Sequence, residues 1–259
     1  MKAIILSAGQ GKRLLPLTTD LPKCLLSVQG KTLIEWQIHE LQKCGIHRIR
    51  VVTGYRAAEV NQLLHERYES DEISTIYNDA YAITDNLVSC WTACREMNED
   101  FVILNGDTIF EAAVLKRLLK SPDRPVTVAV NHKGAYDADD MKVMLEGERL
   151  VRIGKDLPPE KVHAESIGMI LFRGKGPTLF RRSVQKALEE PAAGKKWYLS
   201  VIDDMARQMP VWTCAVNGLQ WCEVDYQADI EHAARVVDVC ADHDDKSGAV
   251  CRSVKAIPL

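Results

Sequence analysis

The chain has 259 residues, 46% hydrophobic and 27% charged, enough to bury a full core as one α/β domain or one domain with an appendage. Its formal net charge of −3 excludes a bulk electrostatic attraction to nucleic acid or to an anionic membrane. Cations for any anionic ligand must therefore be placed locally.

Lys2–Ser7 reads as a buried strand that breaks into the small-residue loop Ala8–Gly11. Thr32–Cys44 is predicted helical, with Leu33, Trp36, Gln37, Leu41 and Cys44 at helical spacing. Strand His47–Thr53, helix Ala57–Tyr68 and strand Glu72–Tyr77 follow. Helix Asn86–Met97 then leads into the unbroken apolar strand Asp100–Asn105, which ends at Gly106–Asp107. This strand–helix alternation predicts a mostly parallel sheet covered on both faces, with ligands beyond the carboxyl ends of its strands.

The second half changes character. Shorter strands are expected at Pro125–His132, Met141–Leu145, Leu150–Ile153 and Ser166–Phe172, then helices at Gly176–Glu190 and Tyr198–Gln208. Val211–Ala215 and Trp221–Val224 are the last strands, and Ala228–Val239 the last helix. Residues 1–240 are read as a single domain with a smaller lobe at about 132–200, and 241–259 as a loosely ordered tail.

Eight cysteines (Cys24, Cys44, Cys90, Cys94, Cys214, Cys222, Cys240, Cys251) include no CxxC pair and no zinc-finger spacing, which predicts reduced, packed thiols. The core strand begins at residue 3, so no signal peptide is read. No apolar run reaches the length of a membrane span, and the expected compartment is the cytoplasm. Seven scattered histidines form no recognisable nucleophile–base arrangement. Asp203 and Asp204 are read as a solvated helix face rather than a metal pair.

The opening loop is the richest segment. Small residues at Ser7–Gly11 let backbone N–H groups approach an anion, and Lys12, Arg13 and Lys23 can neutralise it. A polyphosphate is the natural ligand. A dinucleotide fingerprint would need glycine where Leu14 stands, and a Walker A loop would need Gly and Ser/Thr in place of Leu6 and Arg13. Asp107, closing a buried strand, is an apt Mg²⁺ ligand, with a cap for the helix opening near Glu111 as the less favoured alternative.

Gly9, Gly11, Arg13, Pro16, Leu17, Thr18, Pro22, Lys23 and Leu25 together resemble the fingerprint of the sugar-phosphate nucleotidyltransferases, or pyrophosphorylases. The likeness runs to about residue 238, and the first 110 residues carry most of it. It implies a Rossmann-like three-layer α/β sandwich with a mostly parallel mixed sheet and a small acceptor-binding lobe. It implies further that Leu6, Ala8, Gly9, Gln10, Gly11 and Lys12 face a nucleoside triphosphate, with Gly106, and with Asn86 near the base. Arg13 would hold the outer phosphates, and Lys23 the α-phosphate or the acceptor phosphate. Lys155 would grip the acceptor's phosphate, unless it is a surface lysine. Asp107 and Asp225 would hold Mg²⁺; Asp225 is also readable as a helix cap, with Asp229 a weaker rival.

Thr84–Ser89 replaces the Gly-rich segment usual in hexose 1-phosphate relatives. With Asp139–Val143 and Ile153–Met169 it looks more like the phosphocholine and aminoalkyl-phosphonate cytidylyltransferase branch, which uses CTP. An amine-bearing acceptor needs carboxylates or aromatic faces. Asp139, Asp140 and Glu165, with Tyr136, Trp197 and Tyr198, are the candidates, each also readable as surface charge or packing. The expected partners are CTP and a small phosphorylated or phosphonate substrate. Neither nucleic acid nor a membrane is expected, and a homo-oligomer is left open. The alternatives are a hexose-1-phosphate uridylyl- or thymidylyltransferase, and a non-catalytic nucleotide-binding regulatory subunit.

Overall fold

The computed structural model describes residues 1–247, with side chains through Cys240. Strand β1 (Lys2–Ser7) is followed by a hairpin of β2 (Ser27–Val28) and β3 (Lys31–Thr32), then α1 (Leu33–Lys43), β4 (Ile49–Thr53), α2 (Ala57–Arg67) and β5 (Ile73–Tyr77). Next come α3 (Asn86–Thr92), β6 (Phe101–Asn105), β7 (Thr108–Phe110), α4 (Ala112–Leu119) and β8 (Val126–Asn131). Then follow β9 (Lys142–Glu146), β10 (Arg149–Gly154), β11 (Ala164–Phe172), α5 (Gly176–Leu188) and α6 (Tyr198–Gln208). The last elements are β12 (Val211–Ala215), β13 (Trp221–Glu223) and α7 (Asp229–Ser247).

Nine strands form one mixed sheet in the order β5-β4-β1-β6-β11-β8-β12-β10-β9. Strands β5, β4, β1 and β6 are parallel, as the alternation of the first half requires. β11, buried along its whole length, runs antiparallel to both β6 and β8. β9 and β10 form an antiparallel hairpin at the far edge.

Side-chain alternation along each strand divides the core. Ile4 and Leu6 of β1 pack with Leu87 of α3, Phe180 of α5 and Ile202 of α6. Ala3 and Ile5 face the other side, against Ile38 of α1, Leu64 of α2 and Leu115 of α4. The result is three layers. A smaller cluster joins Leu14, Leu26, Trp36, Val224 and Val236, docking α7 and β13 beside the opening loop. α1 starts in a capping box, where the Glu35 N–H donates to Thr32 Oγ1 at 3.3 Å and the Thr32 N–H to Glu35 Oε2 at 2.8 Å.

Several boundaries differ from expectation. The helix predicted over Asn86–Met97 is split, with α3 ending at Thr92 and a 3₁₀ turn over Cys94–Glu96. Strands β2, β3 and β7 are too short to show a period and were not foreseen. α7 continues to Ser247, past the predicted end at Val239, because no Gly or Pro interrupts the chain there. The rest of the predicted tail, and Cys251, lie outside the described residues; the other seven cysteines are free thiols. Among the described residues no helix is long and apolar enough to cross a membrane.

Asp203 is not on a solvated face. It is 6% exposed, accepts from Arg152 Nε and the Ile153 N–H at 2.9 Å each, and also pairs with Arg207. Burial would raise its pKa, but these donors prevail and hold it below the ordinary Asp value. A depressed carboxylate stabilises the fold above its unfolded pKa, and that contribution is lost as pH falls through the folded value. Asp203→Asn should therefore cost about 1–3 kcal/mol near neutrality. The gap from wild type should shrink below about pH 4. Urea unfolding of both proteins at neutral and acidic pH measures it, and a gap independent of pH would remove the carboxylate's charge from the explanation.

Candidate active site

The carboxyl ends of β1 and β6 lie side by side, with Leu6 opposite Asn105. The Gly106 N–H extends that ladder to Leu6 O at 2.9 Å. A Cβ on Gly106 would sit 2.2 Å from Ser7 Oγ, so only glycine lets the chain cross the end of β1 here. Gln37 of α1 is buried under the same turn and donates to Asn105 O at 2.7 Å and Thr108 O at 2.8 Å. Asp107 is thereby held by two elements.

The opening loop is fixed by its neighbours. Ala8 O accepts the Tyr55 N–H at 3.0 Å, and buried Thr18 donates its hydroxyl to Gly11 O at 2.9 Å. The Pro16–Leu17–Thr18 run thus returns to brace the glycine turn. Gly11 has φ +77°, and a Cβ there would lie 2.9 Å from Lys23 Cβ. Its missing side chain is where the Lys23 stem passes. Cys24 and Leu25 are buried in the core, which leaves Lys23 facing the cleft.

Lys23 Nζ donates to Asp107 Oδ2 at 2.8 Å and to Asp225 Oδ1 at 2.8 Å. Burial works against its charge, but the two carboxylates outweigh burial and raise its pKa. Strand β13 pairs with β7, placing Glu223 opposite Thr108 and so bringing Asp225 beside Asp107. Asp229 Oδ2 accepts the N–H groups of Asp225 and Tyr226 at 2.9 and 2.7 Å. Asp229, the first residue of α7, thereby closes the turn that precedes the helix, and the Asp225 carboxylate points to the cations. Arg13 Nη1 lies 3.2 Å from Asp225 Oδ2, and Arg13 Nη2 lies 3.6 Å from Asp139 Oδ1. Asp107 Oδ1 is buried without a hydrogen-bond partner.

Two cavities of about 240 Å³ each meet at Asn86, Asn105 and Asp107. One is lined by Leu6, Gly9, Gly11, Lys23 and Gly106. The other is lined by Arg13, Asp139, Lys155, Trp197, Glu223 and Asp225. A wider hollow of about 550 Å³ continues the first past Gln10 and Lys12 to Tyr55, Tyr81 and Asp85. Ala8 lines none of these; it is buried in the core. The Asn86 side chain accepts the Tyr198 N–H at 2.9 Å, tying α3 to α6.

On the second cavity, Lys155 Nζ lies 3.3 Å from Asp139 Oδ1 and 4.8 Å from the centre of the Trp197 ring. Asp140 and Glu165 are not brought to the cleft, because Lys133 pairs with them at 2.8 and 2.7 Å and Asn131 also donates to Glu165. Tyr198 is fully buried, with its hydroxyl 3.3 Å from Asn105 Oδ1, and the Tyr136 hydroxyl donates to His163 O. Neither ring lines the cleft.

Sequence reasoning missed Glu223 and Tyr226. Burial, then the charges of Asp107 and Asp225, push the Glu223 carboxyl up to about 8, against the pull of Lys23. Its signal was period two: Cys222 and Val224 are buried, so Glu223 and Asp225 share the opposite face. The Tyr226 hydroxyl donates to Asp139 Oδ2 at 3.0 Å.

Cations and a glycine turn at the strand ends of an open α/β sheet, facing a carboxylate pair, define a nucleotide-handling domain. The chain belongs to the MobA-like NTP transferase domain family, which matches residues 3–208. It is 28% identical over 245 residues to CMP-5′-(3-aminopropyl)phosphonate synthase of Streptomyces rubellomurinus, covering 90% of this chain and 38% of that protein. It is 27% identical over 240 residues to 2-aminoethylphosphonate cytidylyltransferase of Lancefieldella rimae, covering 88% and 89%. Several relatives are longer: the chain spans 38% of the Streptomyces protein and 51% of two bifunctional proteins that it also matches. The solved structure of CTP:phosphocholine cytidylyltransferase from Streptococcus pneumoniae shares the fold, with a TM-score of 0.74 at 21% identity over 91% of this chain and 98% of that one.

Gly11→Ala tests the packing of the loop. The left-handed backbone alone should cost about 1–2 kcal/mol, with more from displacing Lys23. Denaturant unfolding should show at least that loss; a change within about 0.5 kcal/mol would mean the turn relaxes freely.

Proposed function

We propose that this chain transfers a cytidylyl group from CTP to a small phosphorylated or phosphonate alcohol or amine, releasing pyrophosphate. The observation that carries the reading is Lys23, held between Asp107 and Asp225 where two equal cavities meet. CTP is favoured by kinship with proteins named as cytidylyltransferases. An acceptor bearing an amine is favoured by Asp139 and the Trp197 face beside Lys155.

The nucleotide occupies the cavity under Leu6–Gly11, with backbone N–H groups toward its phosphates. Lys23 reaches the α-phosphate, and Arg13 neutralises the departing pyrophosphate. Lys155 holds the acceptor's phosphate or phosphonate in the second cavity. An anionic oxygen of that group attacks the α-phosphorus in line. A new P–O bond forms, the bond to the β-phosphate bridge breaks, and its electron pair leaves with pyrophosphate. The attacking oxygen is already ionised, so no general base is needed and catalysis is positioning plus charge neutralisation.

The residues fit a magnesium ion. Asp107 and Asp225 supply hard carboxylate oxygens, and Asp107 Oδ1 is buried without a partner. Two carboxylates leave the rest of such an ion's coordination to phosphate oxygens and water. Arg13, Lys23 and Lys155 are already matched by Asp107, Asp139 and Asp225, so these three offer a triphosphate little free counter-charge. Magnesium, when bound, supplies that charge at the reacting phosphate.

Pyrophosphate release across CTP, UTP, ATP and GTP, each with phosphocholine, 2-aminoethylphosphonate and glucose 1-phosphate, tests the reading. Release with CTP and an amine-bearing acceptor is expected, lost on chelation and restored by Mg²⁺. Turnover with UTP and glucose 1-phosphate alone would replace the substrate assignment, and no release with any pair would leave a binding protein. Asp107→Asn and Asp225→Asn should each lower kcat by on the order of 10²–10³ with unfolding midpoints retained. A near-normal rate in either variant would strip that residue of its role.

A further inference from the structure

Lys142 opens β9 and is only 5% exposed. Its two hydrogen-bond acceptors are backbone carbonyls: Lys155 O at 3.0 Å and Ala138 O at 3.4 Å. A buried ammonium held by neutral carbonyls is an expensive arrangement compared with an apolar side chain. The two carbonyls explain where it is spent. One belongs to Lys155 itself, which follows the last residue of β10, and the other immediately precedes Asp139. These two residues carry the opposite charges that line the second cavity and lie 3.3 Å apart.

The surroundings make this clamp local. Lys142 pairs across the sheet with Gly154 of β10 and Glu165 of β11, so its backbone is set by the sheet and not by the loops. Its own N–H donates to Asp140 O at 3.0 Å, closing the turn that carries Asp139. Other contacts act on the tips of these loops: Tyr226 donates to Asp139, and Trp197 lies under Lys155. Only Lys142 donates to both loop backbones at once among the described hydrogen bonds.

We propose that Lys142 is a positioning residue for the acceptor, resting on the transfer reaction inferred above. Its ammonium fixes the separation between the Lys155 cation and the Asp139 carboxylate. That separation selects a small zwitterion, whose phosphoryl or phosphonyl end meets Lys155 and whose ammonium end meets Asp139. Lys142 touches neither substrate.

Lys142→Met, with Lys142→Gln as a second variant should the first fail to fold, tests this by kinetics and by hydrogen–deuterium exchange of the full chain. The KM for 2-aminoethylphosphonate should rise by about tenfold or more, since small misplacements are costly in such sites, while the KM for CTP stays within about twofold. Exchange should quicken at 137–141 and 154–157 and remain unchanged in β1 and β6. Lys142→Arg, which keeps the charged donors, should recover most of the acceptor KM. Equal changes in both KM values, or unchanged exchange in the two loops, would overturn the proposal. If the wild type releases no pyrophosphate, the functional reading fails by itself, and exchange at the two loops still decides whether Lys142 clamps them.

Discussion

One ammonium group organises the centre of this molecule. Lys23 sits between two carboxylates that the chain places 118 residues apart, at 107 and 225, and each lies 2.8 Å from its nitrogen. Without a cation between them the carboxylates would repel in a partly dry cleft. Their approach follows from the sheet: β6 delivers Asp107, and β13, paired to β7, delivers Asp225. The Lys23 stem passes over Gly11, so the glycine loop and the carboxylate pair depend on the same side chain.

The site is a chain of balanced charges rather than a basic pocket. Arg13 is shared between Asp225 and Asp139, and Asp139 between Arg13, Lys155 and Tyr226. Such a network holds its geometry without ligand, and an incoming polyanion must exchange partners with it. That exchange is why a divalent cation suits the reading proposed here, and why the overall charge of −3 is no obstacle to binding phosphate. Two further lysines extend the same logic outward. Lys133 ties Asp140 to Glu165, and Lys142 ties the Asp139 loop to Lys155.

Much of this was legible beforehand because the signals were local. The apolar runs at 3–6 and 101–104, flanked by glycine, mark strands that end at a ligand edge, and the structure puts both ends together. Arg13, Lys23, Asp107, Asp139, Lys155 and Asp225 were all singled out, and all face the two cavities. What failed was the reading of carboxylates by neighbourhood in sequence. Asp140 and Glu165 looked as available as Asp139, yet Lys133 occupies both. Asp203 looked solvated, yet two arginines and a backbone N–H enclose it. Partners supplied by distant strands leave no trace in the local pattern.

By itself the sequence determined the class of fold, the phosphate-type loop and the identity of the charged groups, because periodicity and loop chemistry are short-range properties. Only the tertiary structure decided which charges meet. It set Lys23 between Asp107 and Asp225, turned the Asp229 carboxylate back onto the Asp225 N–H, brought Glu223 into the cleft, and gave Lys142 its two carbonyls. The physical reason is that electrostatic partnership depends on distance and burial, and both are fixed by strand pairing between segments far apart in the chain.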